Sequence, residues 1–110
     1  MLDLRLYMLQ RLTALIMIPL VIGHLITMVI AVQDGLTANE ILSRTAGSLF
    51  WFVFYLTFAL SAAMHGAIGL RVVVHEWLGL GGVGLSVFTW VVAFSLSVLG
   101  CYAVVAVTWL

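Results

Sequence analysis

The stretch Ser61-Ala-Ala-Met-His65-Gly-Ala-Ile-Gly69-Leu-Arg71-Val-Val-Val-His75-Glu76-Trp77 lies in the second of three long apolar runs. It sets a histidine deep in that run, a glycine four residues later, and polar groups where the run ends. An α-helix turns about 100° per residue, so Ser61, His65 and Gly69 share a face. Glu76, eleven residues past His65, returns to that face. An imidazole buried in hydrocarbon needs a partner, and Gly69 leaves a flat space beside it. A porphyrin ring would use both. His65 is therefore expected to be an axial ligand of a haem held between membrane-spanning helices.

Working outward, the composition supports a membrane setting. The chain has 110 residues, 65% hydrophobic and 7% charged, where a soluble domain carries about a quarter charged residues. The apolar runs, at about 12–32, 46–74 and 85–110, each reach the roughly 20 residues needed to cross a bilayer. The expected fold class is an all-α membrane protein of three transmembrane helices forming one domain over residues 1–110. The runs leave room for short loops only, so a soluble catalytic domain is not expected. The formal net charge is zero, which removes the basic footprint of a nucleic-acid binder. Cys101 stands alone inside the third run and reads as a small hydrophobe. Met1 to Gln10 does not have the pattern of a cleavable signal. With Asp3, Arg5 and Tyr7 among leucines, it reads as a short amphipathic segment at the interface.

Pro19 lies within the first span, where it is expected to kink the helix and free a carbonyl. Thr37-Ala-Asn-Glu40, in the polar loop from Gln33 to Arg44, has capping-box spacing and predicts a short interfacial helix. Phe50-Trp51-Phe52 and Tyr55 read as an aromatic belt where the second span opens. Leu78 to Gly84, with four glycines, reads as the turn into the third span. Small residues Ser97, Gly100 and Ala103 there suit close helix packing. Arg5, Arg11 and Arg71 fall at one membrane face and Arg44 at the other, which predicts a cytoplasmic N-terminus.

Ionisable residues inside spans are functional candidates by default. His24 lies about 18 Å into the first span and His65 about 14 Å from the same face, at about 1.5 Å per residue. Two levels of histidine suit two haems, with the remaining axial ligands supplied by a second chain. The plain reading of either histidine is a hydrogen bond to a neighbouring helix. At the rim, Arg11 and Arg71 are candidates for pairing with a haem propionate or polarising a quinone. Gln10, Thr13, Glu76 and Trp77 lie at the same level. Snorkelling arginines and anchoring aromatics are the plain alternatives. A different class of function is a small proton-conducting channel or transporter subunit working through His24, His65 and Glu76. A third is a purely structural three-helix anchor.

Gln10-Arg11-Leu-Thr13-Ala14 resembles the Arg-x-Thr-Ala signature of membrane-anchor (cytochrome b) subunits of succinate dehydrogenase and fumarate reductase. His65-x-x-x-Gly69-x-Arg71, followed by Glu76 and Trp77, resembles the second-span signature of the same family. There the histidine carries haem b, and an acidic residue and a tyrosine follow at these spacings. Trp77 departs from that tyrosine, which leaves the choice between ubiquinone and menaquinone open. His24 departs from single-haem members and is similar to the di-haem type. The resemblance implies packing with a second anchor subunit into a helical bundle that binds haem. It also implies flavoprotein and iron–sulfur partners, and quinone as the membrane substrate of this tricarboxylic acid cycle enzyme. The setting implied is the lipid bilayer of a bacterial cytoplasmic (inner) membrane. The chain's own part would be anchoring and electron transfer between the iron–sulfur subunit and quinone.

Overall fold

The computed structural model describes residues 3–109. Its regular elements are four helices: α1 (Leu4–Asp34), α2 (Ala38–Thr45), α3 (Leu49–Leu78) and α4 (Gly82–Thr108). The helices α1, α3 and α4 are 31, 30 and 27 residues long and apolar enough to cross a membrane. Each exceeds the roughly 20 residues of a minimal span, so the ends project or the helices tilt. The longest dimension of the molecule, 48 Å, compares with about 40–45 Å for a bilayer including its headgroups.

Local chemistry sets where the helices begin and end. Asp3 accepts a hydrogen bond from the Leu6 amide at 2.9 Å and starts α1. Residues 4–10 are therefore the first turns of the spanning helix, not the separate interfacial segment the sequence suggested. Nothing between Leu4 and Gln10 breaks a helix once the cap is in place. The helix continues through Pro19. Thr37 accepts from the Glu40 amide at 3.2 Å, so the expected short helix forms as α2. Ser48 caps α3 in the same way, three residues later than the expected start. Gly79 is left-handed, with φ 72°, and its amide bonds the His75 carbonyl, a glycine stop for α3. The turn then needs only Gly79 to Gly81, and α4 takes in Gly82 and Gly84.

The helix α3 is central. It packs along α4 on one side and α1 on the other, while α1 and α4 scarcely touch. Small buried residues, Ser61, Ala63 and Ala67, line its seams. At Gly100 a Cβ would lie 3.0 Å from that of Ala59, so glycine permits a close approach of α3 and α4. The short helix α2 lies across the end of the bundle away from the N-terminus. Thr45 donates to the Val107 carbonyl at 2.7 Å, and the Gly47 amide donates to the Thr108 carbonyl at 2.6 Å. An aromatic cluster of Phe50, Trp51, Phe54 and Tyr55 opens α3 at that end. Leu15, Ile18, Ile22 and Leu25 of α1 face outward, as lipid or a neighbouring subunit requires.

Candidate functional site

Thr13 is the one buried residue of α1 among those described. Its hydroxyl lies 2.9 Å from the Leu9 carbonyl and 3.0 Å from the Gln10 carbonyl, so its proton is committed to the helix backbone. Its oxygen stands 3.2 Å from His65 Nδ1, and the Gln10 carbonyl stands 3.3 Å from the same nitrogen. Both neighbours can only accept, so Nδ1 carries the proton. In the neutral ring Nε2 then holds a free lone pair on the opposite edge of the imidazole. An N–H held by a carbonyl in this way is the support that metal-bound histidines use to fix tautomer and orientation.

Gly69 stands one turn from His65 as expected, but the space beside it is not free. A Cβ on Gly69 would lie 3.6 Å from the Gln10 side-chain nitrogen. The Gln10 amide thus rests against α3 at Gly69. The Gln10 Oε1 atom is buried without a hydrogen-bond partner.

His24 lies eleven residues from Thr13, roughly 16 Å along α1. Its Nδ1 is 3.4 Å from the Tyr55 hydroxyl, and its ring meets Phe58 edge-on at 5.4 Å. Thr13, which meets His65, and His24 thus face α3 from one stripe of α1, at two levels. His24 lines a cavity of about 540 Å³ shared by α1, α3 and α4 and closed by Arg44 and Thr45 of α2. That volume suits a cofactor-sized ligand, for which roughly 300–1,000 Å³ is usual. Gly100 and Val104 form the α4 wall. Arg44 pairs with Asp34 at 3.8 Å at the edge of this space. Tyr55 looked like a belt aromatic in the sequence. The signal that would have found it is depth, since it is the tyrosine six residues into α3, level with His24.

The remaining candidates lie apart from Gln10, Thr13, His65 and Gly69. Arg11 is exposed and bonds the Tyr7 hydroxyl at 3.1 Å on the flank of α1. Arg71 donates to Thr89 of α4 at 3.2 Å. Glu76 and Trp77 are exposed at the end of α3. His75 closes the turn, its Nδ1 2.9 Å from the Leu80 carbonyl. Among the described residues no hydrogen bond joins His24, His65 and Glu76.

Three helices long and apolar enough to cross a membrane define a multi-pass membrane protein. The chain matches the family model described as succinate dehydrogenase/fumarate reductase transmembrane subunit over residues 2–108. It belongs to that family and is a membrane-anchor subunit, with a place among the other subunits of a membrane complex. No curated protein and no solved structure matches it.

Proposed function

We propose that this subunit binds haem b and passes electrons between the iron–sulfur subunit and quinone in a succinate:quinone oxidoreductase. The observation that carries the reading is the pinned His65 ring, whose Nδ1 faces two acceptors and whose Nε2 is left with a lone pair. Haem, when bound, supplies reversible one-electron chemistry on iron. The chain's own part is to present Nε2 of His65, hold the ring still and keep the surroundings apolar. His24, in its apolar cavity, is the ligand for a second haem. A second anchor subunit would supply the remaining ligands.

Gln10, with its unpaired Oε1, offers an acceptor to a quinol hydroxyl. Arg11, exposed one residue on, is suited to a propionate or a quinone carbonyl. Glu76 and Trp77 stand at the same rim. The arginine distribution supports a cytoplasmic N-terminus in a bacterial inner membrane. On that orientation the His65 haem lies nearer the flavoprotein and iron–sulfur subunits.

The test is a reduced-minus-oxidised spectrum of the complex carrying His65→Ala. One low-spin b-type signal should disappear while the complex stays assembled. An unchanged spectrum at full haem content would remove His65 as a ligand.

A further inference from the structure

The clearest group without a structural account is Arg71. It lies seven residues before the end of α3, about 10 Å inside the helix end. A guanidinium is charged at any accessible pH and offers five donors. Among the described residues Arg71 has one hydrogen bond, to the Thr89 hydroxyl, and its Nε is buried with no partner. The one ion pair among those residues joins Arg44 to Asp34 at the other end of the bundle. A partly buried cation with no counter-charge is costly and calls for an anion from outside the chain.

Arg71 lines a cavity of about 570 Å³ between α1, α3 and α4 at the end that holds the N-terminus. Arg5, Ser86 and Thr89 make it polar at one end, and Leu9, Ile68 and Phe94 are among its apolar walls. Asp3 also borders it, but its carboxylate caps the Leu6 amide. Two guanidiniums against one carboxylate leave the space net positive. None of Gln10, Thr13, His65 and Gly69 lines it. Arg71 stands about 120° around α3 from His65, so this cavity and the histidine site occupy separate faces.

We propose that the cavity holds an anionic phospholipid, with its phosphodiester between Arg5 and Arg71 and an acyl chain along the apolar wall. Arginine matches phosphate oxygens in a two-pronged geometry. Basic pockets between membrane helices suit anionic lipid headgroups. The polar-to-apolar gradient along the cavity fits one lipid molecule better than a compact anion, which would leave the apolar walls unfilled.

The experiment uses the intact complex taken from bilayers of equal phosphatidylglycerol and phosphatidylcholine with identical acyl chains. Native mass spectrometry counts the lipids retained. The wild type should keep at least one phosphatidylglycerol per chain in preference to phosphatidylcholine. Arg5→Gln, in the exposed first turn, and Arg71→Gln should each lower that preference about fivefold. Ala93→Trp, which fills part of the cavity, should lower retention with both arginines intact. Equal retention of the two lipids by the wild type, or an undiminished preference in the double arginine variant, overturns the proposal. Displacement of the lipid by millimolar inorganic phosphate assigns the site to free phosphate and also overturns it. A haem spectrum altered by Arg71→Gln, with lipid retention unchanged, returns Arg71 to a propionate role. His65→Ala separately tests the haem reading, so either can fail alone.

Discussion

Thr13 meets His65 across the α1–α3 seam at 3.2 Å. Sequence makes it a rim candidate near a quinone or propionate and shows its level in the membrane, but not its neighbour 52 positions away. Its hydroxyl proton is committed to the backbone, so Thr13 can act on His65 only as an acceptor. Thr13→Val keeps the shape and removes that acceptor. We expect lower haem occupancy and a shifted midpoint potential for one haem, with helix content unchanged. Loss of such outer partners typically costs 10–100-fold in metal affinity. Thr13→Ser should restore the wild-type potential, and a valine variant with unaltered potential would mean that the Gln10 carbonyl alone holds the ring. Arg11 sits on the outer flank with Tyr7, where a ligand or neighbouring subunit can reach it. Arg11→Ala should depress quinone-linked turnover while dye-linked succinate oxidation persists. Equal rates in both assays would assign Arg11 to lipid phosphates.

At the scale of helices, the three spans were legible from apolar run length, and α2 from the spacing of Thr37 and Glu40. The ends were less legible. Four glycines near residue 80 look alike in sequence, yet Gly79 stops α3 in the left-handed region, Gly82 opens α4 with φ 61°, and Gly84 is absorbed into the helix. The apolar run begins at about residue 12, whereas the Asp3 cap starts α1 at Leu4, eight residues earlier. Run length cannot say which helix is central. That depends on small residues meeting across two helices, as Gly100 meets Ala59. Gly100→Leu should force α3 and α4 apart, at a cost on the order of 1–3 kcal/mol for overpacking. Thermal unfolding of the detergent-solubilised complex measures this, and an unchanged midpoint would mean that the seam has room the geometry does not suggest.

Taken whole, the molecule sets His65 and His24 at two levels of the α1–α3 seam, with Thr13, which meets His65, about 16 Å along α1 from His24. The site was legible in part. Residue type and depth pointed to His65 and His24, but the Gln10 amide against Gly69 and the Tyr55 hydroxyl at His24 arise from packing that no local pattern encodes. If both histidines serve as ligands, the purified complex should hold two haems per flavin, and His24→Ala should lose only the one farther from the N-terminal face. A measured ratio of one haem per flavin in the wild type would leave His65 as the sole ligand from this chain. The scarcity of contact between α1 and α4 bears on time as well as space. The three-residue turn lets α3 and α4 enter the bilayer as a hairpin that is already packed. Until then the first helix, made earlier, waits among lipids with Gln10, Thr13 and His24 lacking their cross-helix neighbours. Its docking on α3 brings Thr13 and the Gln10 carbonyl to His65, so during biogenesis those contacts form only after α3 has been synthesised.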